Sequence, residues 1–228
     1  MADKKNEQDS SEVLITKAKD FWTRNGKVLM IVSVLVIVLA GGWYIYQNYV
    51  QAPKEDKAVD AMFKAEEYYR LDSANLALNG DGQNWGFLKV IDKYSGTRAG
   101  KLANFYAGSC YIKLNDNEKA LKYLKKYSGN SKLVQARAYK LMGDAYADLG
   151  KNTDALDYYK KAEHYFEKDE TTSAEYLFYA AYLADRVLKN QKEAIALYKE
   201  LKEKYPKSNQ AREADNYLAQ LGVYNTEN

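Results

Sequence analysis

The hydrophobic positions of this chain follow two patterns, one near the N-terminus and one through the rest of the sequence. Residues 28–46 form a continuous run without a charged side chain, and no other run of this kind occurs. A helix of this length is about 28 Å long, enough to cross the hydrocarbon core of a bilayer. Beyond the run, apolar residues recur every three or four positions among charged ones, a spacing that predicts amphipathic helices.

The apolar run predicts a single membrane-spanning helix, which we place at residues 28–49. A secretory signal peptide has an apolar core of about 7–15 residues near the N-terminus, whereas this run is longer and 27 residues precede it. Arg24 and Lys27 flank the run more closely than Lys54 does on the other side, and such basic flanks stay in the cytoplasm. We therefore expect a cytoplasmic tail at residues 1–27, a span in a bacterial inner membrane, and a periplasmic domain.

The segments on either side of the run carry weaker signals. Leu14, Ala18 and Trp22 recur at helical spacing, as in an amphipathic helix on a membrane surface. A polar tail that becomes helical only near the membrane explains the same spacing equally well. On the other side, Pro53 predicts a boundary, because proline cannot continue a helix smoothly.

A repeat begins near residue 101. Small and aromatic residues recur at an offset of 35 positions, pairing Gly108 with Gly143, Tyr111 with Tyr146, and Ala120 with Ala155. A third unit contains Ala194 and Pro206, and its first half, residues 176–189, fits only with an insertion. This pattern resembles the tetratricopeptide repeat, a pair of helices of about 34 residues. The resemblance implies that the glycines and alanines allow close helix approach, and that the two tyrosines fill the space between pairs.

We therefore predict an all-α fold, in which an N-terminal transmembrane helix is followed by a tetratricopeptide-type solenoid of helical hairpins. Residues 50–100 are predicted to form a degenerate first pair, from a long helix, Lys54–Leu78, and a shorter one, Trp85–Tyr94. Residues 101–207 hold three repeats, and residues 208–228 hold a capping helix and a tail. A solenoid needs such a cap, because an unstacked repeat leaves an apolar face exposed.

Composition argues against catalysis. The chain has 228 residues, a net charge of +3, one histidine and one cysteine. His164 and Cys110 fall in different repeats, so neither is predicted to have a catalytic partner, and no metal-ligand cluster is apparent. A net charge near zero gives no electrostatic reason to expect nucleic acid. We expect no enzyme, cofactor, metal or small-molecule substrate, and instead a protein that binds other proteins.

The surface available for protein binding is the concave groove that the first helices of such pairs line. The predicted partner contacts are Phe105, Ile112, Lys113, Arg137, Lys140, Asp144, Tyr176 and Tyr179. A groove that mixes aromatic rings with cations could hold an extended or helical segment of another protein. The alternative is that its tyrosines only pack the solenoid.

The N-terminal segment resembles the YfgM family of single-span repeat proteins. The aromatic pair Phe21-Trp22, the triplet Asn25-Gly26-Lys27, the apolar run and the triplet Gly41-Gly42-Trp43 follow one another in that order. The resemblance implies an ancillary subunit of the SecYEG translocon, placed beside a PpiD-like anchored chaperone, that meets substrates emerging on the far side.

Two further expectations concern the span and the assembly it serves. Gly41 and Gly42 give another helix a place for close approach, so we expect Gly41, Gly42 and Trp43 to contact partner helices. The chain also contains the stretches Ala77-Leu78-Asn79-Gly80-Asp81-Gly82 and Tyr94-Ser95-Gly96-Thr97, and through these it resembles anchored repeat proteins common in Bacteroidetes. The alternative function is a structural adaptor in another envelope assembly, such as outer-membrane biogenesis, secretion or gliding.

Overall fold

The computed structural model describes residues 3–223, with side chains from residue 15 onward except that of residue 18. Every element in this range is helical, and one isolated bridge joins Gly80 and Trp85. The α-helices are α1 (Asp3–Ile45), α2 (Ala52–Arg70), α3 (Ala74–Asn79), α4 (Phe87–Tyr94), α5 (Arg98–Lys113), α6 (Asn117–Leu124), α7 (Lys132–Asp148), α8 (Asn152–Tyr165), α9 (Glu170–Tyr182), α10 (Gln191–Lys204) and α11 (Asn209–Gln220). The all-α prediction is confirmed. The Leu14 and Ala18 side chains lie outside the described part, as do residues 224–228 of the predicted tail.

The chain divides into two compact units, Met1–Pro53 and Lys54–Asn228. In the first unit, α1 carries the apolar run, and its Leu35, Val36 and Ile37 side chains are all more than half exposed. Among the described residues one helix is long and apolar enough to cross a membrane, and its most apolar stretch has a mean hydropathy of 2.5. These features are consistent with a single-pass membrane anchor.

The boundary between the units falls at Pro53, where the sequence predicts one, and the backbone stays helical through it. The backbone is π-helical over Tyr46–Gln51, and α2 begins at Ala52. The N–H of Ala52 bonds back to the carbonyl of Gln47, one residue further than in an α-helix. A proline ring clashes with the carbonyl four residues before it, and the wider turn provides room for the ring.

In the second unit, the pairs α5–α6, α7–α8 and α9–α10 form the three predicted repeats, and α11 packs on the last pair. The glycines act as predicted, because a Cβ at Gly108 would lie 2.5 Å from Leu124 Cγ and one at Gly143 would lie 2.6 Å from Tyr159 Cδ1. Ala120 on α6 is fully buried. The small residues therefore set how closely the helices of a pair approach.

The two repeat tyrosines also make ring contacts within their own pairs. Tyr111 stacks on Tyr123 with ring centroids 5.4 Å apart, and Tyr146 stacks on Tyr158 at 5.2 Å. Each ring packs against the second helix of its own pair. Tyr146 also accepts a hydrogen bond of 2.7 Å from Lys125 at the end of α6, so it contacts the preceding pair as predicted. The close approach of the paired helices brings the two rings together.

Side-chain caps explain where the helices begin. Six residues accept a hydrogen bond from a backbone N–H of the first turn, namely Thr97, Asp116, Ser131, Asp169, Asn190 and Ser208. Such a cap stabilises a helix by about 1 kcal/mol. The predicted capping helix after Ser208 is among the helices that begin this way.

The predicted long helix Lys54–Leu78 is wrong, because the chain turns after Arg70. Asp72 adopts the left-handed conformation with φ of 58°, and the N–H of Ser73 bonds to the carbonyl of Tyr68. This Schellman-type ending usually uses glycine, so an aspartate there gives little sequence signal. The next predicted helix also starts late, at Phe87, because Trp85 pairs with Gly80.

The third repeat contains the irregularity that its poor match predicted. After Tyr182 the backbone is π-helical over Leu183–Val187, and a π-helical turn holds more residues than an α-helical one. The stretch Glu170–Val187 is one residue longer than α7. Part of the predicted insertion is therefore absorbed inside the helix.

Candidate protein-binding groove

A groove of about 290 Å³ crosses the first helices of successive pairs. Side chains from α2, α5, α7 and α9 line it, namely Tyr69, Ser109, Arg137, Lys140, Leu141, Thr172, Glu175 and Tyr176. The lining combines aromatic rings, two cations and one carboxylate with hydroxyl groups. Such a surface can satisfy the donors and acceptors of a polypeptide segment.

At one end of the groove, Tyr69 connects α2 to α5. Its hydroxyl shares a hydrogen bond of 2.8 Å with Oγ of the buried Ser109, and its ring meets that of Tyr106 edge to face at 5.0 Å. The Nζ of Lys113 lies 4.7 Å from the ring centroid of Tyr69, while an ion pair joins Lys113 to Asp72. These contacts fix Tyr69 against the groove.

In the middle of the groove, Lys140 is held by two neighbours. Its Nζ donates to Asp144 at 2.9 Å and lies 4.9 Å from the ring centroid of Tyr179. Asp144 also accepts the Tyr159 hydroxyl at 2.9 Å. Burial and the Asp144 charge both raise the pKa of Tyr159, so this phenol stays a donor at neutral pH.

At the far end, the groove is lined by Arg137, Glu175 and Tyr176. Tyr176 is almost fully buried; burial raises its pKa to about 12, and the neighbouring Arg137 opposes the shift. Glu175 accepts the Tyr179 hydroxyl at 2.7 Å. Arg137 is exposed, and within residues 15–223 the structure shows no ion pair between it and a carboxylate. The Arg137 side chain hydrogen-bonds that of Tyr176, and its charge is available to a partner's carboxylate.

The sequence profile of the family described as "Tetratricopeptide repeat-like domain" matches residues 19–138, more than half of the chain. The chain belongs to this family. A second profile, "Tetratricopeptide repeat", matches residues 175–208 and so covers the third repeat. A search of curated proteins gives no match.

Among solved structures, the chain is similar to a Rap protein complexed with competence and sporulation factor. The two share 18% sequence identity with a TM-score of 0.50. The alignment covers 78% of this chain and 56% of the Rap chain, so the chain spans little more than half the length of that protein. At this identity the likeness concerns the fold alone. The tetratricopeptide architecture makes the chain a protein–protein interaction scaffold, a class that is typically non-catalytic.

The repeats place the eight predicted groove residues in three different settings. Arg137, Lys140 and Tyr176 line the groove. The side chains of Lys113, Asp144 and Tyr179 contact lining residues, as described above. Phe105 and Ile112 instead pack into the core. Phe105 is only 9% exposed and contacts the ring of Tyr127, and Ile112 packs against the same cluster.

Some lining residues were not anticipated from the sequence. Tyr69 lies in α2, before the repeats, where no repeat register points to it. Thr172 and Glu175 lie in the first turns of α9, ahead of the segment that matched the repeat pattern. In both cases the useful signal would have been helical spacing of polar and aromatic residues outside the motif.

Chemically reactive residues lie away from the groove. Cys110 is fully buried, and burial raises the pKa of its thiol to about 12. Glu163, His164 and Glu200 place potential metal-ligand atoms within 4.8 Å of one another, which corrects the expectation that no such group exists. The ammonium group of Lys204 lies 3.3 Å from a Glu163 oxygen, 3.4 Å from a Glu167 oxygen and 2.8 Å from a Glu200 oxygen, so these carboxylates share one cation.

Proposed function

We propose that this chain is a membrane-anchored periplasmic scaffold that acts as an ancillary subunit of the Sec translocon. Its groove would hold a partner protein or a polypeptide emerging from the translocon. The observation that supports this proposal best is the convergence of Tyr69, Arg137, Lys140 and Tyr176, from three separate helices, on one open polar groove.

The chemistry of the groove favours a polypeptide over a small molecule. Small-molecule sites are concave and mostly apolar, whereas this groove contains Arg137 and Glu175, of opposite charge, together with the hydroxyls of Tyr69 and Thr172. An extended segment presents backbone donors and acceptors along its whole length. Such a ligand could use several of these groups at once without needing one fixed sequence.

The N-terminal segment supports both the anchor and the choice of assembly. Arg24 and Lys27 favour a cytoplasmic N-terminus, and the order Asn25-Gly26-Lys27, span and Gly41-Gly42-Trp43 resembles the YfgM family. A Cβ added at Gly41 or Gly42 would meet nothing within 4 Å. Both glycines could therefore accept a translocon helix or the helix of a PpiD-like chaperone at close range.

Affinity purification after gentle detergent extraction tests the assembly. We expect SecYEG components or a membrane-anchored chaperone to co-purify with the full chain. A reporter fused to the C-terminus should be active only outside the cytoplasm. A cytoplasmic signal, or purification without any translocon component or anchored chaperone, would contradict this function.

Photo-crosslinking tests the groove itself. A photoreactive amino acid at Thr172, inside the groove, should capture translocon components or exported chains. The same group at Lys192, an exposed position on α10, should not capture them. If Thr172 captured only outer-membrane or motor components, the chain would be an adaptor in another envelope assembly.

A further inference from the structure

The stretch between Glu118 and Asp144 has an unusual charge pattern. It contains no acidic residue, yet it contains seven basic ones, namely Lys119, Lys122, Lys125, Lys126, Lys132, Arg137 and Lys140. The whole chain has a net charge of only +3. Arg137 and Lys140 belong to the groove, and the other five basic residues lie on α6, in the loop 125–131 or at Lys132, the first residue of α7.

The same stretch contains surface pockets, because helix α6 is shorter than the second helices of the other pairs. It has 8 residues, whereas α8 and α10 each have 14; the missing residues correspond to about 9 Å of helix. The loop 125–131 takes their place. Two pockets of about 440 and 320 Å³ lie beside this loop and share Tyr127, Ser128 and Gly129.

Both pockets carry cations, and no carboxylate lines either of them. In the larger pocket, Lys125 Nζ donates to the Tyr146 hydroxyl at 2.7 Å, and Lys161 Nζ lies 4.3 Å from the ring centroid of Tyr139. In the smaller pocket, Lys101 lies beside Arg98, whose Nε is 3.8 Å from a Glu55 carboxylate that caps α5.

The tyrosines hold Lys125 and Lys161 in place without neutralising them. Within the part of the chain whose side chains are described, neither lysine forms an ion pair, and Asp154 acts on Lys125 only through space. In the groove, by contrast, Asp144 pairs with Lys140. Neutral phenols orient a cation through hydrogen bonds and ring contacts and leave its charge available. The pockets are therefore preorganised to accept anions.

The pockets also have apolar walls, which narrow the choice of anion. The rings of Tyr139, Tyr158 and Tyr165 line the larger pocket, and Leu102 and Val134 line the smaller one; all five side chains are at least partly exposed. A nucleic acid or a headgroup layer presents phosphates without apolar side chains between them. The ammonium groups of Lys125 and Lys161 also fold back over rings instead of projecting toward a flat surface. A polypeptide with alternating carboxylates and apolar side chains fits both properties.

We propose that the two pockets beside loop 125–131 bind an acidic, partly apolar segment of a partner protein. This surface is separate from the groove. Helix α7 gives Arg137, Lys140 and Leu141 to the groove, but Gln135, Tyr139 and Met142 to the larger pocket. A failure of the groove proposal therefore leaves this one untouched.

A binding measurement on the full chain in detergent tests the proposal. The probe is a fluorescent synthetic peptide in which glutamate alternates with leucine, and its matched control has glutamine in place of glutamate. We expect the acidic peptide to bind and the glutamine peptide to bind much more weakly. Added salt should weaken acidic-peptide binding, because partly exposed ion pairs are screened.

Variants locate the site. The double variant Lys125→Gln, Lys161→Gln should weaken binding about tenfold, as expected for the loss of two partly exposed ion pairs. The double variant Lys192→Gln, Lys199→Gln changes the same charge at exposed positions of α10 and should bind like the unmodified chain. Lys125→Arg with Lys161→Arg preserves both charges and should retain binding, which separates loss of charge from loss of folding.

Three outcomes would overturn the proposal. The first is equal binding of the two peptides. The second is equal weakening by both glutamine double variants. The third is retention of a short-chain phosphatidylglycerol with no retention of the acidic peptide, which would assign the pockets to lipid headgroups.

Discussion

Gly108 on α5 faces Leu124 on α6 so closely that a Cβ at Gly108 would lie 2.5 Å from Leu124 Cγ and 3.2 Å from the carbonyl oxygen of Ala120. Gly108 therefore marks a position where α5 and α6 of the first repeat approach each other closely. Real Cβ atoms do not approach other heavy atoms as closely as 2.5 Å, so a larger residue at Gly108 requires the Leu124 side chain or the two helices to shift.

Gly108→Ala should lower the free energy of unfolding by about 2 kcal/mol, because overpacking a tight interface costs more than the gain in helix propensity. Gly96→Ala is the control for an added methyl group without a close neighbour, since a Cβ there, in the turn between α4 and α5, would meet nothing within 4 Å. Chemical denaturation of both variants measures the difference. Equal stability of the two variants would show that the helices of the pair separate easily.

Alkaline pH should destabilise the protein partly through Cys110. Burial raises the pKa of this thiol from 9.0 to about 12, so the folded state holds the proton more tightly than the unfolded state does. The resulting stability is fully present below pH 9.0 and is lost as the pH rises toward 12. We expect the unfolding midpoint of the unmodified chain to exceed that of Cys110→Ala at neutral pH. The difference between the two midpoints should shrink as the pH rises from 9.0 toward 12.

Arg137→Glu should reduce capture of a partner by the groove and leave stability nearly unchanged. Arg137 is exposed, and substitutions at such positions usually change stability by less than about 0.5 kcal/mol. The new charge would repel the carboxylates that Arg137 attracts. Crosslinking yield from Thr172 is the measurement, and Lys192→Glu is the charge-matched control, for which the yield should not fall.

The span should do more than anchor. Replacing residues 28–46 with an unrelated apolar run of equal length should keep the chain in the membrane but weaken its partner complex. Gly41→Leu with Gly42→Leu should have the same effect, because large side chains block close helix approach, whereas Val36→Leu with Val38→Leu should not. The measurement is the yield of partner proteins that co-purify from membranes. An unchanged yield after the span exchange would show that residues 28–46 serve only as an anchor.

The sequence predicted the repeats well because their signal is local and periodic. Gly108 and Gly143 recur at the same offset, and each contact they permit lies within one helical pair, between residues fewer than 20 positions apart. The helix end at Arg70 escaped prediction for the opposite reason. Asp72 adopts a positive φ that usually marks a glycine, so the residue type gave no warning of the turn.

The candidate site was only partly predictable. Repeat register identified Arg137, Lys140 and Tyr176, which line the groove. Repeat register also selected Phe105, whose ring packs into the core. Register gives the position of a residue along a helix, but it does not show which neighbouring side chains bury that residue. Tyr69 reaches the groove through a hydrogen bond to Ser109, 40 positions away, and no local pattern encodes that distance.

The sequence by itself determined the helical pairs and the apolar helix. Small residues at a fixed spacing allow two helix backbones to approach closely. A long run without charged residues favours a lipid environment over water. Only the tertiary structure decided which tyrosines face the groove, which cations are neutralised, and where the short α6 leaves pockets open. Those properties depend on distances between side chains far apart in the chain, which become defined only when the helices pack.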